Sequence, residues 1–403
     1  MHFCRLARFS ACISLACLLT AILPAATDNR AVAEATFDEL IRQDFAALVK
    51  RFSPEVLVAL PADKAAATLG PIVQSLGPLR SGRPAPRVAG VQGSEVFIFP
   101  AEFQNSKLNV AITVNAASQI SGLRFLPPDP EPARPGDLFV VTGDLKLPAT
   151  LTLPSGDGPF PAVVFLHGSG PNDRDETIGA NAPFKDLAEG LAARGVASLR
   201  FVKRTKQYPG RPVATVKEEV MDDALSALAL LRQQPKTDAK RVYLLGHSLG
   251  AYLIPRIAPS DPAVAGFIML AGNARPIEEL AAEQLKYLGA PPETLAQLMQ
   301  AAPASYWDDL KIYDPAGAAL KIAVPLLILQ GERDYQVTMR DFEMWRSALK
   351  GRQNVTLKSY PKLNHLFLEG EGKSMPAEYG QAGHIPAYVL DDLAGFIGAK
   401  GGR

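Results

Sequence analysis

The feature that most constrains the fold is a strand-turn-helix pattern at residues 241–254. Four consecutive apolar residues, Val242 to Leu245, predict a strand that is buried on both faces, as in a parallel sheet. Gly-His-Ser-Leu-Gly follows at 246–250, and residues 251–254 begin a helix. On so sharp a turn the serine backbone is strained, and a glycine on either side lets the strand and the helix approach each other. The pattern predicts that Ser248 is a nucleophile; the alternative is a tight turn with a structural role only.

The oxyanion of an acyl-transfer reaction needs hydrogen-bond donors close to such a serine. One expected donor is the backbone N–H of Leu249, at the N-terminus of the predicted helix. The second is expected on the loop after a buried strand at 162–166, where the sequence is His-Gly-Ser-Gly. Ser169 is the predicted donor on that loop, and Gly170 is the alternative.

A serine hydroxyl becomes nucleophilic only beside a base, and the chain has five histidines. His2 lies in an N-terminal targeting segment, His247 is held in the turn beside the serine, and His167 is expected to brace the glycine loop. His365 lies on the loop after a predicted strand, where the base stands in a Ser, acid, His order. We predict His365 as the base, with His384, before the last predicted helix, as the alternative.

The acid that orients this histidine should follow the strand predicted at 326–330. Gly331-Glu332-Arg333-Asp334 offers two carboxylates there. Asp334 is the predicted acid, because the glycine begins a turn and the fourth position lets a short side chain point back over the sheet edge. Glu332 is expected to pair with Arg333 or to face solvent.

Strands and helices alternate through residues 137–400, which predicts an α/β domain with a mostly parallel, doubly wound sheet. Helix-forming residues interrupt this alternation at 273–322. An insertion after the sixth strand lies above the carboxyl ends of the strands, where open α/β sheets bind ligands. We therefore expect residues 273–322 to form a helical cap over the site.

A small α+β accessory domain is predicted at residues 34–126. Thr36 and Glu39 form a capping box at the start of a helix, and Gly70-Pro71 is expected to break a second helix. The β-type runs that follow are 87–91, 95–103, 108–114 and 119–125. This domain contains no histidine or cysteine, so we expect a module without chemistry of its own. Residues 127–136 contain five prolines and predict a stiff linker.

Composition and charge limit the possible partners. The 403 residues are enough for two domains, and an apolar content of 47% supports a large core. Lysine and arginine total 42 against 41 aspartate and glutamate, a net charge of +1. This balance gives no electrostatic reason to expect binding to nucleic acid or to an anionic membrane surface. A small neutral or mixed molecule is the expected partner, and the oligomeric state is left open.

The N-terminus has the pattern of a signal peptide, predicted at residues 1–26. Arg5 and Arg8 precede an apolar run, 9–23, that is too short to span a bilayer comfortably. We therefore expect export to the periplasm or the medium. Cleavage after Ala26 or after Ala33 is compatible with the small residues at both positions.

All three cysteines lie inside this segment, at positions 4, 12 and 17. The mature protein would then have no cysteine, which excludes disulfides, thiolate catalysis and cysteine-ligated zinc. A lipoprotein anchor at Cys17 is the alternative to cleavage, but Ser14-Leu15-Ala16 matches the usual pattern poorly. No stable membrane insertion is expected.

The motifs of residues 137–400 resemble those of bacterial α/β-hydrolase carboxylesterases of the EstD type. The resemblance rests on segments distributed along this whole stretch, which are His-Gly-Ser-Gly-Pro-Asn-Asp-Arg-Asp-Glu at 167–176, Pro-Phe-Lys-Asp-Leu-Ala at 183–188, Lys-Arg-Thr at 203–205, Gly-His-Ser-Leu-Gly at 246–250, Gly-Glu-Arg-Asp-Tyr-Gln-Val at 331–337 and Leu-Asn-His-Leu-Phe at 363–367. That family bears a small N-terminal domain and is similar to dienelactone hydrolases and to the acyl-CoA thioesterase and acyltransferase branch. The resemblance implies an α/β-hydrolase fold with Ser248, Asp334 and His365 as the triad. One departure is Val202, where an aspartate is expected.

The sequence therefore predicts an exported serine carboxylesterase that acts on a small-molecule ester and needs no cofactor or metal. The alternatives are an acyl-CoA thioesterase or acyltransferase, a serine peptidase of the prolyl-oligopeptidase type and a non-catalytic binding protein with a hydrolase fold. Export disfavours the first because CoA is cytoplasmic. The peptidase is disfavoured because the N-terminal segment is too small for a propeller, and the binding protein because every triad position is filled.

Overall fold

The computed structural model of the protein describes residues 28–398, apart from 92–93, 105, 127, 130–131, 135, 210, 292 and 301. The predicted signal peptide, all three cysteines and His2 lie outside the described residues. Within the described part of the chain, no helix is long and apolar enough to cross a bilayer.

The N-terminal domain packs helices against an antiparallel sheet. Its strands, paired in sequence order, are β1 (Arg87–Val91), β2 (Ser94–Glu102), β3 (Lys107–Asn115) and β4 (Ile120–Leu126). Its helices are α1 (Asn29–Ile41), α2 (Phe45–Leu48), α3 (Pro54–Ala59) and α4 (Ala65–Leu76). Phe37 of α1 stacks on Phe99 of β2 with ring centroids 4.7 Å apart, inside a core that helices and strands share. The predicted α+β class of this domain is confirmed.

The predicted capping box at Thr36 is wrong, because α1 begins seven residues earlier, at Asn29. Asp28 is the N-cap, and its side chain accepts a hydrogen bond from the backbone N–H of Arg30. Thr36 is buried in the middle of the helix, where its hydroxyl donates to the carbonyl oxygen of Val32 at 2.7 Å. An aspartate is as good a cap as a threonine, so the earlier signal was sufficient to start the helix.

The predicted break at Gly70-Pro71 is also wrong, since α4 continues through Pro71. A proline inside a helix removes one backbone hydrogen bond but does not remove the apolar stripe. Leu69, Val73 and Leu76 are buried in the domain core on either side of it. Tertiary packing therefore outweighs the local preference to end the helix.

The larger domain is built on an eight-stranded sheet. Its strands are β5 (Leu138–Thr142), β6 (Leu145–Thr152), β7 (Phe160–Leu166), β8 (Ala197–Phe201), β9 (Thr237–His247), β10 (Gly266–Leu270), β11 (Leu326–Gly331) and β12 (Val355–Tyr360). They lie in the order β12-β11-β10-β9-β7-β8-β6-β5. Strands β7 to β12 are parallel, whereas β5 and β6 form an antiparallel hairpin at one edge. The predicted mostly parallel, doubly wound sheet is confirmed.

Helices alternate with these strands. They are α5 (Pro183–Ala192), α6 (Arg204–Gln207), α7 (Asp222–Arg232), α8 (Leu249–Ile257), α9 (Ile277–Tyr287), α10 (Glu293–Met299), α11 (Ala304–Lys311), α12 (Pro315–Ala319), α13 (Met339–Ala348) and α14 (Ala387–Gly398). A π-helical turn, Lys217–Met221, leads into α7. Helices α9 to α12 lie between β10 and β11, so the insertion expected there is helical.

Alternate residues of the central strands enter cores on opposite faces of the sheet. In β7, Val164 and Leu166 belong to one core, and Val163 and Phe165 belong to the other. All four are buried. This two-sided burial explains why the central strands appear in the sequence as unbroken apolar runs.

The strand order reverses at β7, which has β8 on one side and β9 on the other. Strands β7 and β9 pair in parallel up to Leu166 and Gly246. The loops that follow them therefore leave the sheet side by side, at the carboxyl edge where open α/β sheets form a crevice. This pairing brings the His-Gly-Ser-Gly loop next to the turn that carries Ser248.

Helix α8 crosses this edge in close contact with β7 and β9. A Cβ on Gly250 would lie 2.3 Å from the carbonyl oxygen of Leu166, and a Cβ on Gly246 would lie 2.4 Å from the carbonyl carbon of Gly250. Both distances end on backbone atoms, which cannot move aside as a side chain can. Glycine at both positions is therefore a requirement of strand-helix packing.

We expect Gly250→Ala to destabilise the larger domain by about 1–3 kcal/mol, because the added methyl group overpacks the contact with Leu166. Gly395→Ala is the matched control. No atom lies within 4 Å of a Cβ at Gly395, on α14, so this change should stabilise the helix by about 1 kcal/mol. Urea unfolding followed by tryptophan fluorescence measures both, since Trp307 and Trp345 lie in this domain. Equal effects of the two changes would contradict the packing argument.

Candidate active site

The turn between β9 and α8 holds Ser248 in a strained conformation, with φ 52° and ψ −116°. Its N–H donates to the carbonyl oxygen of Leu270 at 2.9 Å, and its own carbonyl oxygen accepts from the N–H of Tyr252 at 2.9 Å. Both backbone groups are thus satisfied by the neighbouring strand and helix, which maintain the strain. The half-buried side chain stands at the tip of the turn, as expected from the sequence.

Other strained residues surround this turn. Glu176, Ala271 and Phe367 have φ values of 51°, 50° and 59°, on the loops after β7, β10 and β12. Such conformations cost about 1–3 kcal/mol each and persist only where the surrounding structure determines them. Their concentration at one edge of the sheet indicates that this edge is built for a purpose other than stability.

Asp334 and His365 form a buried pair at the same edge. They follow β11 and β12, which are adjacent and parallel. The Nδ1–H of His365 donates to Oδ2 of Asp334 at 2.7 Å, and the two side chains are 4% and 0% exposed. The structure therefore brings together two of the residues predicted from the sequence.

The Asp334 carboxylate is fixed by further donors. Its Oδ1 accepts from the backbone N–H groups of Gln336 at 2.7 Å and Val337 at 3.0 Å, and its Oδ2 accepts from Nε2 of Gln330 at 3.1 Å. A Cβ on Gly331 would lie 2.4 Å from the carbonyl oxygen of Leu363, so only glycine lets the two loops approach this closely. The carboxylate is thereby held in one orientation towards the imidazole.

The alternative acid, Glu332, is not part of the buried pair. Glu332 is exposed and accepts a hydrogen bond from the hydroxyl of Ser359 at 2.8 Å. Of its two expected environments, Glu332 has the second: it faces solvent. The Arg333 guanidinium pairs with Glu378 at 2.6 Å.

The alternative base is also not part of the buried pair. His384 is 85% exposed, and its Nδ1 lies 3.1 Å from the carboxylate of Asp186. A solvated imidazole held by a surface carboxylate on α5 has no contact with Asp334 or Ser248 among the described hydrogen bonds.

His247 connects the serine turn to the loop of His365. Its Nε2–H donates to the backbone carbonyl oxygen of His365 at 3.0 Å, and the two imidazole rings are 4.7 Å apart. Ser248 is thus the chain neighbour of a residue that contacts His365. The sequence indicated that His247 is locked in the turn, but it gave no signal for this long-range contact.

The other ring nitrogen of His247 faces a buried carboxylate. Its Nδ1 lies 2.9 Å from Oε2 of Glu176, whose Oε1 accepts from the N–H of Gly168 at 2.5 Å. Both ring nitrogens therefore face acceptors. Burial disfavours the charged form of His247, but the nearby Glu176 carboxylate outweighs this effect and raises the pKa of His247. Burial likewise disfavours the charged form of Glu176, but the His247 imidazolium outweighs it and lowers the pKa of Glu176. This ion pair joins three loops of the site.

The glycine loop after β7 lies against the serine turn. A Cβ on Gly168 would lie 3.1 Å from Cβ of Ser248, so the two segments are in close contact, and a larger residue at 168 would require a small shift of its neighbours. Ser169 is exposed, and no acceptor for its N–H occurs among the hydrogen bonds of the described residues. Leu249 is the first residue of α8, where N–H groups have no partner within the helix. The two predicted donors are thus free to bind an anion. Gly170, the alternative, has a φ of 88°.

His167 braces this loop, as expected. Its Nε2–H donates to the carbonyl oxygen of Asp173 at 3.0 Å, and the ring packs between Phe184 and Phe201. Complete burial lowers the pKa of His167 to about 4, and Glu176 offsets this only in part. The imidazole is therefore neutral at physiological pH.

The charged run at 172–176 forms internal ion pairs. Arg174 is fully buried and donates to Asp137 at 2.6 Å, and Asp175 pairs with Arg200 at 2.8 Å. Within residues 28–398 and their stated gaps, no group of three histidine, cysteine or acidic side chains is placed to hold a metal ion.

Comparison with known proteins gives three kinds of match: a family model, a similar protein and a solved structure. The model of the prolyl oligopeptidase family matches residues 213–379, which include Ser248, Asp334 and His365. Esterase EstD from Thermotoga maritima is 41% identical over 334 residues, which are 74% of this chain and 79% of that protein. A solved structure of an esterase from Pyrococcus furiosus has a TM-score of 0.52 and 19% identity, and the match covers 68% of this chain and 98% of that one. The last likeness concerns the fold alone.

The buried His167 predicts an acid-side loss of stability. Its pKa is about 4 in the folded protein, against 6.5 for an exposed imidazole, so the unfolded chain binds the additional proton between these values. Stability should therefore fall as the pH falls from about 6.5 to about 4, by about 3 kcal/mol.

His167→Gln keeps an N–H donor for Asp173 but does not titrate, so the variant should lack this loss. Urea unfolding of both proteins at a series of pH values measures the difference, and comparison with the variant removes the contributions of other groups. Parallel pH profiles for the two proteins would contradict the assignment.

Proposed function

Because the chain belongs to the EstD-type esterases of the α/β-hydrolase fold, we propose that it is a serine carboxylesterase with Ser248, Asp334 and His365 as its triad. The observation that carries the proposal is the buried hydrogen bond of 2.7 Å between His365 and Asp334, at the sheet edge where Ser248 stands on a strained turn. A carboxylate that holds one imidazole nitrogen leaves the other free to take a proton from the serine hydroxyl.

In the proposed reaction, the Ser248 Oγ forms a bond to the ester carbonyl carbon, and its proton passes to Nε2 of His365. The electron pair of the carbonyl π bond moves to its oxygen, next to the N–H groups of Leu249 and Ser169. When the carbonyl re-forms, the bond to the leaving alkoxide breaks, and the alkoxide takes the proton from His365. Water repeats both steps and releases the acid.

The substrate class is a small carboxylic ester of short to medium chain length. Helices α9 to α12 are inserted between β10 and β11, on the carboxyl side of the sheet where the acyl or alcohol group would bind. Such a cap limits the space above the serine, which favours compact substrates.

Peptidase activity is a second candidate, because residues 213–379 match the prolyl oligopeptidase family. The described N-terminal residues form helices and a four-stranded sheet instead of a propeller that would admit only peptides. Acyl-CoA thioester cleavage is a third candidate. The proposed export makes it less favourable, since CoA is cytoplasmic.

We also propose export after removal of residues 1–26. Cleavage after Ala33 is disfavoured, because Ala33 is 0% exposed in the core of the N-terminal domain and lies within α1. Cleavage after Ala26 leaves Asp28, the cap of α1, intact. Export would place the enzyme in the periplasm or the medium.

Ser248→Ala should lower kcat for a short-chain nitrophenyl ester by about a thousandfold or more, because the nucleophile is removed. His365→Asn should cause a similar loss, since no base then takes the hydroxyl proton. His384→Asn is the matched control, and should leave kcat within about twofold because His384 is exposed and remote. Wild-type turnover by Ser248→Ala would remove the central assignment.

A fluorophosphonate should label wild-type protein on Ser248 and leave Ser248→Ala unlabelled, as peptide mass spectrometry would reveal. Absence of labelling on the wild type would favour a non-catalytic binding protein.

An oxyester, the matched thioester and the matched anilide separate the candidate activities. The oxyester should have the highest kcat/KM, and a higher value for the anilide or the thioester would reassign the function.

N-terminal sequencing of the protein recovered after export should begin at Thr27. A start at Glu34 would instead require that α1 folds without its first turn and its cap. Retention of Met1 in active protein would contradict the proposed export.

A further inference from the structure

A buried lysine contacts the glycine loop that lies against the Ser248 turn. Lys203 follows β8, and its side chain is 3% exposed. Its Nζ donates to the carbonyl oxygen of Gly168 at 2.9 Å and lies 2.6 Å from Oε1 of Glu219. A lysine is rarely buried, and burial without an acceptor is costly. The contact with Gly168 is therefore a specific feature of the loop.

The Gly168 carbonyl and the Ser169 N–H belong to one peptide group. In a planar trans peptide the C=O and N–H bonds point in opposite directions, so holding the oxygen fixes the direction of the hydrogen. Nδ2 of Asn172 donates to the same oxygen at 3.1 Å. With two donors on its oxygen, this peptide cannot turn over, and the Ser169 N–H points away from Lys203.

The Ser169 N–H is also free to act. The described residues offer it no acceptor, and the same peptide lies near the nucleophile, since a Cβ on Gly168 would be 3.1 Å from Cβ of Ser248. A cation on the oxygen of a peptide draws electron density from its nitrogen and makes the N–H a stronger donor. Because Lys203 and Gly168 are both buried, the charge acts on the Gly168 carbonyl with little screening.

We propose that Lys203 is a positioning residue that orients and polarises the Gly168–Ser169 peptide, so that the Ser169 N–H stabilises the oxyanion. This inference rests on the proposed esterase function, because it assumes an acyl transfer at Ser248. The sequence motif Lys-Arg-Thr at 203–205 does not by itself assign a role to this lysine.

Glu219 keeps Lys203 in place. Its burial is outweighed by the Lys203 ammonium, which lowers the pKa of Glu219, so the carboxylate stays ionised. Its Oε2 accepts from the hydroxyl of Tyr306, on α11, at 2.6 Å. The lysine thus lies between a carboxylate that fixes its position and the carbonyl that it polarises.

Lys203→Met removes the cation and nearly preserves the shape of the side chain. We expect kcat for an oxyester to fall by about tenfold to a hundredfold, within the range of losing one oxyanion donor, while KM changes by less than about threefold. Lys203→Gln retains a neutral N–H donor for Gly168 and should lie between the wild type and Lys203→Met. Arg232→Met is the control, since it removes a partly buried cation, paired with Asp261, at the amino edge of the sheet.

The decisive measurement compares an oxyester with its thionoester, whose C=S sulfur accepts hydrogen bonds poorly. If Lys203 acts through the oxyanion donor, Lys203→Met should lose much more activity on the oxyester, and the oxyester-to-thionoester ratio of kcat/KM should fall by about tenfold. A lysine that only neutralises Glu219 would lower both rates equally, and an unchanged ratio would therefore overturn the proposal. A rise in KM at constant kcat would overturn it as well.

Melting midpoints show which variants are folded. If Lys203→Met melts well below the wild type, the oxyester-to-thionoester ratio of kcat/KM is measured with Lys203→Gln and Glu219→Gln instead. A fall in this ratio supports the proposal. Ser248→Ala separates this test from that of the proposed function. If Ser248→Ala is inactive while Lys203 variants keep the wild-type ratio, only the role of Lys203 is refuted. If Ser248→Ala is active, the proposed function itself fails.

Discussion

The parallel pairing of β7 with β9 is the constraint on which the site depends. Because the two strands run in the same direction and the strand order reverses between them, their following loops share one crevice. The close approach of α8 to Leu166 then requires glycine at 250, and glycine at 168 lets the glycine loop lie close to Ser248. The glycine pattern of the sequence is thus a consequence of backbone crowding at this edge.

Charged side chains hold this crowded edge, although burial of a charge is unfavourable unless it is paired. The backbone of Gly168 is bound on both sides, its N–H by Glu176 and its carbonyl oxygen by Lys203. Each of these side chains has a buried partner of opposite charge, His247 and Glu219. Such ion pairs contribute little net stability, but breaking one leaves an uncompensated charge. They therefore define a single loop conformation more than they stabilise the fold.

Periodicity and turn chemistry in the sequence were sufficient to predict the strands, the sheet class and the pairing of Asp334 with His365. These features follow from local patterns and from the rule that parallel strands end at one edge. The partners of Glu176, His247 and Lys203 could not be predicted, because they lie on segments far apart in sequence and nothing local marks which charge will be buried. The errors at Thr36 and Pro71 have a related cause, since an earlier cap and tertiary packing outweighed the local signal.

The helical insertion makes contacts with the body of the domain that involve buried charged groups. At its base, Arg275 is buried and pairs with Asp341 of α13 at 2.8 Å, which anchors the start of the insertion to the body of the domain. Farther along, the Tyr306 hydroxyl donates to Glu219, which holds Lys203 against Gly168.

These contacts link the helical insertion to the loop that carries an expected oxyanion donor. Displacement of α11 would remove one donor from Glu219 and expose a buried carboxylate, at a cost that holds the insertion in the described position. Asp309 of α11 also pairs with Arg256 of α8 at 2.5 Å. The Tyr313 hydroxyl donates to the carbonyl oxygen of Tyr252 at 3.0 Å, so this half of the insertion is held against α8 as well.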